Sequence, residues 1–378
     1  MKILFYYFYG AGGAVENFYH LLQSLCRVNK SIQLVVLCDK ESKLNKLGLE
    51  DNVEIIHTKM YFSQEFSRLA YNLFLLRKII QLHNPDIVWS LNVGPYFYTG
   101  KLQVLSVNNA FQVYPLEFSK FHPGSKLKVL LLRKFFRMSL SFSDLVFTQT
   151  ELMASYIRKY NKKQVSVYSK AVDKSKFILN RNLVKANNEL NFLYISTFSP
   201  HKNHIVLINM FKTLSEIYMS DPEKFNGKKP VLNLSISMDE AKSIDTNVES
   251  LVDNGFIKCL GWIDNNKINF LYELCDVCLM PSFLECLSSS HLEAFAYSKP
   301  QIVADLPYAH DLCKDAVLYA NPNKVEEWVS CVFKLIDTPD LKTELVQKGN
   351  KIFHQFPVSW DEIAQSIFNE FSTYLKRV

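Results

Sequence analysis

Residues 276–307 constrain the fold of this chain more than any other stretch. Asp276-Val-Cys-Leu-Met280 is a short apolar run of buried-strand type, and Gln301-Ile-Val-Ala304 is another. Between them Ser288 or Ser289 can cap a helix that runs to about Tyr297 and ends before Pro300, since proline disfavours helical backbone in the residue ahead of it. Strand, loop, helix and strand in that order form one unit of a parallel sheet. The helix start faces the carboxyl edge of the strands, where open α/β sheets bind ligands. Glu285 falls in the loop, and Glu293 lies inside the helix.

A helix start offers free backbone N–H groups to an anion, here those of about Leu287 to Ser290. Two carboxylates beside it would hold phosphate poorly, but they suit a ligand that also carries hydroxyls. Phosphate plus several hydroxyls describes a nucleotide sugar. The spacing alone also fits a solvated Glu285 and a helix-surface Glu293.

The same alternation runs through the chain. Strands are predicted at 2–9, 53–57, 86–90, 103–107, 144–148 and 165–168, and helices at 14–27, 65–83, 125–140 and 151–160. A polar run at 180–189 follows, and the crossing into a second domain is expected at about 170–190. That domain opens with a strand at 190–197 and a helix at 203–218, and helices are expected at 325–335, 341–353 and 359–375. Alternating strands and helices predict an α/β fold with parallel sheets covered on both faces. The expected domains are 1–175 and 190–355, with a last helix at 359–376.

Composition excludes several classes. Apolar residues make up 48% and charged residues 21%, so the chain is globular and not disordered. Eight cysteines lack the spacing of a disulfide framework, which suggests a reducing compartment, and Cys275 and Cys278 read as buried structural thiols. His201 and His204 lack a third ligand nearby, so no metal is expected there. No apolar run is long enough to cross a bilayer, and the apolar start is read as a strand rather than a signal peptide. A cytoplasmic protein, free or lying on the inner face of the cell membrane, is expected. Nothing resembles a nucleic-acid module.

The pattern Leu-Met-Pro-Ser-x-x-Glu-x7-Glu-Ala-x-Ala-x-x-Lys-Pro-x-Ile-Val-Ala, from Leu279 to Ala304, resembles the donor-binding segment of retaining glycosyltransferases of family 4. The resemblance implies a GT-B fold, two Rossmann-like doubly wound domains facing across a cleft. It implies that Glu293 binds the ribose hydroxyls and Glu285 those of the donor sugar. The backbone around Cys286, Leu287, Ser288 and Ser289 would hold the sugar and diphosphate. Ser196-Thr-Phe-Ser-Pro-His-Lys-Asn is similar to the family segment Gly-Arg-Leu-Ser-Pro-Glu-Lys-Gly. It keeps Ser199 and Lys202, the phosphate-binding lysine, but holds Thr197 in place of the arginine. The Leu-Gly-Trp-Ile-Asp loop matches the segment that holds the nucleobase through backbone near Trp262 and Ile263, although Trp262 could equally be core.

The amino-terminal half is less specific. Gly12 and Gly13 follow the first strand where the family places a glycine loop beside the donor phosphate. The same glycines, with Asp39, leave open a nicotinamide-binding reading, but Val15 stands where the dinucleotide fingerprint needs its third glycine. On the acceptor side the family histidine is replaced by Asn108 or Asn109, with Tyr114 near enough to help. Residues 118–137 carry six basic and no acidic side chains. At helical spacing Lys126, Arg133, Lys134 and Arg137 form one stripe, with most leucines and phenylalanines opposite. The stripe fits either a solvated face or contact with anionic lipid or a lipid-linked diphosphate.

The reading is a metal-independent, cofactor-free retaining glycosyltransferase. It would use a UDP- or GDP-sugar and a glycan or lipid-linked acceptor, in surface polysaccharide assembly, with Glu285 and Lys202 as catalytic residues. A nucleotide-sugar epimerase or phosphorylase of the same fold, and an NAD-dependent oxidoreductase, are the alternatives.

Overall fold

Every strand pairing among the described residues is parallel. The computed structural model describes residues 1–6, 13–39, 42, 44, 48–58, 74–161, 163–172 and 188–376. The chain divides into two units, one of Met1–Leu116, Gly124–Val172 and Phe356–Val378, the other of Glu117–Pro123 and Asp173–Gln355. Residues 117–123, inside the 1–175 span expected for the first domain, group with the second unit.

The first sheet contains β1 (Lys2–Tyr6), β2 (Gln33–Asp39), β3 (Val53–Thr58), β4 (Ile87–Leu91), β5 (Leu102–Val107), β6 (Leu145–Thr148) and β7 (Gln164–Val167), in the order β3-β2-β1-β4-β5-β6-β7. The second contains β8 (Glu189–Tyr194), β9 (Lys229–Leu234), β10 (Ile257–Cys259), β11 (Val277–Met280), β12 (Gln301–Ala304) and β13 (Leu318–Ala320), in the order β10-β9-β8-β11-β12-β13. The strands are buried along consecutive residues, as the four residues of β11 and of β12 show. Helices covering both faces leave no solvent side on which polar residues could alternate.

Register at the start of the strands rests on one repeated device. Asp86, Asp144 and Asp276 each immediately precede a strand and accept from a backbone N–H within the first three residues of the neighbouring one, Lys2 at 2.8 Å, Gln103 at 2.9 Å and Asn191 at 2.8 Å. Each carboxylate satisfies a donor that the ladder leaves over.

The first unit is closed by the last helix, Trp360–Leu375, which packs on the helix Gly13–Val28. Ile363, Ala364, Ile367, Phe368 and Phe371 enter the core that also holds Phe5, Trp89 and Phe147. Trp89 meets Phe371 edge-on, ring centroids 5.5 Å apart. Arg27 pairs with Asp361 at 2.8 Å, and Glu370 accepts from Gln164 and Ser166, each at 2.6 Å, and from Tyr168.

In the second unit the helix Ser289–Ala296 lies against the helix Pro339–Phe353. Gly349 meets Phe295 there: a Cβ at Gly349 would fall inside the phenyl ring's van der Waals surface. Gly349→Ala is expected to destabilise the protein by about 1–3 kcal/mol, the usual range for overpacking a filled core, read as a lowered denaturant midpoint at unchanged slope.

Candidate functional site

The second sheet changes direction between β8 and β11: the chain goes from β8 outward to β9 and β10, and from β11 outward to β12 and β13. The loops leaving these two neighbours run to opposite sides and leave a recess at the carboxyl edge. Residues 195–203 follow β8, and residues 281–288 follow β11.

These loops are tied together before any ligand is considered. The Phe283 N–H donates to the His201 carbonyl at 2.7 Å. Asn203 takes left-handed backbone (φ 54°) and its amide donates to the carbonyls of Pro281 at 3.2 Å and Pro322 at 2.8 Å. The Tyr194 hydroxyl donates to the Lys202 carbonyl at 2.9 Å and lies 3.0 Å from the Ser282 hydroxyl. Tyr308 donates to the Ser282 carbonyl at 2.5 Å, and Ser290 to that of Ile195 at 3.2 Å.

The frame brings Lys202 Nζ to 2.5 Å from Glu285 Oε1, with side chains only 17% and 14% exposed. Burial alone would push the Glu285 carboxyl up. The Lys202 ammonium, the Ser282 hydroxyl and His201 outweigh it and hold the group below the ordinary carboxylate range. Burial would likewise lower Lys202, but Glu285 overrides it and raises the ammonium above its ordinary value. Both partners are therefore charged at neutral pH.

Ser288 is the N-cap of the helix Ser289–Ala296, and its hydroxyl makes no capping bond, so the cap does not consume the first-turn N–H groups. Glu293, half-buried on that helix, is hydrogen-bonded to the buried Tyr272 hydroxyl. Lys202, Glu285, Ser288 and Glu293 are thus held by two adjacent loops and one helix. Ser199 holds the His201 ring (Oγ to Nδ1 2.8 Å), and Ser196 holds His204 (Oγ to Nε2 3.0 Å). Burial first, then Lys202, lowers both imidazoles to about 4, so both are neutral at pH 7. Trp262 is 76% exposed and so is not core; Ile263 beside it is half-buried.

Residues missed by sequence reasoning carry much of the frame. Tyr194, Asn203, Tyr272 and Ser282 act through contacts between distant segments. Only Asn203, an asparagine just before a helix, gives a local signal, since asparagine tolerates left-handed backbone.

The first unit holds a cavity of about 130 Å³ at the carboxyl edge of its sheet, lined by Trp89, Asn108, Gln149, Lys170 and Trp360 among others. Of the three acceptor candidates only Asn108 lines it, in a reciprocal pair with Asn92 (2.7 and 2.9 Å). Asn109 caps the short helix Ala110–Val113, accepting from the Phe111 N–H at 3.1 Å. Tyr114 is buried against Tyr156, and its carbonyl accepts from Arg133. Gly12 lies outside the described residues, and Gly13 opens the first helix.

The basic stripe needs correction. On the helix Lys126–Phe142, Arg133 is buried, because the packing face runs through Val129, Leu132, Phe136 and Leu140 and takes Arg133 with it. Lys126, Lys128, Lys134 and Arg137 remain exposed, and so do Leu130 and Met138, as well as Leu127 (65%) and Leu131, which were expected opposite the stripe.

Residues 175–352 match the family model described as glycosyl transferases group 1. The chain is 27% identical over 226 residues to the O-antigen chain mannosyltransferase RfbU of Salmonella typhimurium, covering 58% of this chain and 59% of that one. It is 22% identical over 288 residues to the O-antigen chain mannosyltransferase B of Escherichia coli, 74% of this chain and 73% of the relative. The alignment thus spans less than two thirds of the Salmonella relative. Among solved structures, a sucrose-phosphate synthase of Thermosynechococcus elongatus aligns at TM-score 0.74, with 13% identity over 100% of this chain and 99% of the other. HepE of Anabaena, solved with UDP and glucose, aligns at 0.68, with 16% identity over 99% and 100%. WaaG, a glycosyltransferase involved in lipopolysaccharide biosynthesis, aligns at 0.70, with 13% identity over 97% and 99%. At these identities the likenesses show the fold: two Rossmann-like α/β units of the GT-B type.

The buried imidazoles give the site a pH signature. Groups whose folded pKa is lowered stabilise the fold above their unfolded value, about 6.5 for histidine, and that stability is lost as pH falls toward the folded value near 4. Unfolding free energy is expected to fall between those limits, and His201→Gln to flatten the slope by about one proton. Denaturant titrations at a series of pH values measure both.

Proposed function

We propose that this chain, whose residues 175–352 belong to the glycosyl transferases group 1 family, is a metal-independent retaining glycosyltransferase. It moves a sugar from a nucleotide diphosphate sugar to a hydroxyl of a glycan or lipid-linked acceptor. The observation that carries this reading is the Lys202–Glu285 pair beside the uncapped helix start that leads to Glu293. A cation and backbone N–H groups suit a diphosphate, and two separated carboxylates suit two sets of hydroxyls.

Glu293 binds the ribose hydroxyls and Glu285 those of the donor sugar. Lys202 and the N–H groups of residues 287–290 take the charge that develops on the diphosphate as the anomeric C–O bond breaks. The acceptor hydroxyl attacks the anomeric carbon from the face the diphosphate leaves, and its proton passes to the departing phosphate oxygen. Trp262, Ile263 and Ser199 complete the donor side, with Cys286, Leu287, Ser288 and Ser289; Gly12 and Gly13 are proposed to approach the phosphates. On the acceptor side Asn108 is better placed than Asn109 or Tyr114, since it lines the cavity of the first unit. Relatives that are O-antigen chain mannosyltransferases favour a surface polysaccharide as product, and a neighbour solved with UDP favours a nucleoside diphosphate donor.

Lys202→Ala is expected to weaken nucleoside diphosphate binding by ~1.5–3 kcal/mol, roughly tenfold to a hundredfold. The two carboxylates are expected to fail differently. Glu293→Ala weakens free nucleotide and nucleotide sugar alike, whereas Glu285→Ala leaves nucleotide affinity nearly intact and slows turnover by about a hundredfold or more. Calorimetry with UDP and GDP, and turnover with their sugars, separate these effects. Wild-type turnover by Glu285→Ala, or equal loss of nucleotide affinity in both variants, would falsify the assignment.

The helix Lys126–Phe142 is proposed to lie on an anionic membrane surface, a setting that suits a lipid-linked acceptor. Exposed leucines flanked by lysines and an arginine have the composition of an interfacial helix. No described helix is long and apolar enough to cross a membrane. Flotation with phosphatidylglycerol vesicles is expected to recover the wild type and to lose Lys126→Gln/Lys134→Gln/Arg137→Gln at low salt. Arg133→Gln is not used as a probe, because it would leave the Tyr114 carbonyl without its donor. Equal recovery of wild type and the triple variant would make the face merely solvated.

A further inference from the structure

Residues Glu117–Pro123 group with the second unit, although they precede residue 175, where the family match begins. They end a 3-10 helix, Leu116–Phe121, whose Ser119 is buried and accepts through its carbonyl from the His122 N–H at 3.1 Å. The Phe121 ring stacks face to face on Phe283, with centroids 3.8 Å apart and planes within 8°. Both rings wall a groove of about 560 Å³ that also touches Ser199 and Asn203.

Phe283 occupies a sensitive position. It is two residues before Glu285, and its N–H donates to the carbonyl of His201, the residue before Lys202. It is 92% covered, and the stacked strap residue is part of that cover. Its ring therefore anchors the loop that carries Glu285 to its 2.5 Å contact with Lys202. His122 follows Phe121 and, after burial and Lys202, adds to the lowering of His201, so the strap lies beside the same turn.

We propose that Phe121 is a positioning residue of the donor site, holding Glu285 in register through its stack on Phe283. The role rests on the glycosyltransferase reading for its consequence in catalysis, but not for its structural claim. Phe121 touches neither the donor nor the reacting atoms in this scheme. It restricts the loop 281–288, so that Glu285 meets the donor sugar without first being ordered.

Two readouts test it, each with Phe121→Ala and the ring-preserving Phe121→Tyr. The first is hydrogen exchange followed by mass spectrometry on the peptide spanning 281–288. Exchange there is expected to quicken by about tenfold or more in Phe121→Ala, to return to the wild-type rate in Phe121→Tyr, and to stay unchanged in a peptide covering β12 and β13. Equal exchange in wild type and Phe121→Ala, or acceleration in both peptides alike, overturns the proposal. The second is turnover of a nucleotide sugar. Phe121→Ala is expected to lower kcat by about tenfold to a hundredfold with nucleoside diphosphate affinity kept within about twofold of wild type, and Phe121→Tyr to restore the rate. A fall in affinity matching the fall in rate would make Phe121 a structural residue only. A wild-type protein that turns over no nucleotide sugar would sink the glycosyltransferase reading, while exchange in the 281–288 peptide still decides the role of Phe121.

Discussion

The Lys202–Glu285 ion pair is the contact on which the rest of the second unit's edge depends. A buried pair is not a source of stability by itself: removing two charges from water costs several kcal/mol per ion, and close geometry is needed to offset it. The chain meets that demand with frame bonds from Tyr194, Asn203 and Ser282, none of which carries charge. A bound diphosphate would change the balance. It brings negative charge to Lys202, which then answers to two anions, and it brings sugar hydroxyls that can take over as partners of Glu285. In the proposed donor site the pair would thus be pre-set, with its cation and acceptor oriented before the ligand arrives.

That orientation descends from strand order. Because β8 and β11 are neighbours while their chains leave in opposite directions, the two loops meet at one edge without competing for the same space. Asp276 sets the other end of this pair of strands by binding the Asn191 N–H, which fixes their relative register. A one-residue slip there would turn every β11 side chain to the other face and carry the 281–288 loop with it. The same aspartate device recurs at Asp86 and Asp144 in the first sheet. It is a general solution of this chain to starting parallel strands, not a feature of the site.

Much of this was legible before the structure. The strands β11 and β12 and the helix between them follow from an apolar run, a serine cap and a proline stop, all local signals. Glu285 was read from the helix start that follows it and Lys202 from the resemblance of its segment, while the adjacency of β8 and β11 came only with the sheet order. Failures cluster where tertiary packing decides. Arg133 has the spacing of a surface stripe, yet the flank of its helix packs inward and its guanidinium donates to the Phe111 and Tyr114 carbonyls. Tyr114 could not be recognised as buried from a loop sequence, nor could the strap at 117–123 be assigned to the second unit. Gly12 and the crossing at 173–187 lie outside the described residues.

One departure from the family resemblance has a physical consequence. Thr197 stands, exposed, where the similar segment carries an arginine, so Lys202 is the single cation that this loop offers a diphosphate. The neighbouring His201 and His204 cannot substitute, because burial lowers both to about 4 and leaves them neutral at pH 7. Raising their charge by lowering the pH would act against folding before it helped binding, since the unfolded chain takes up those protons first. In the proposed reaction, leaving-group stabilisation would therefore fall on one ammonium and on the backbone N–H groups at the start of the helix Ser289–Ala296. Helix N–H groups act only over the first turn and only on an anion held close to the axis. The position of the 281–288 loop, and of Phe283 within it, would in that reaction bear more of the chemistry than it would beside a second cation.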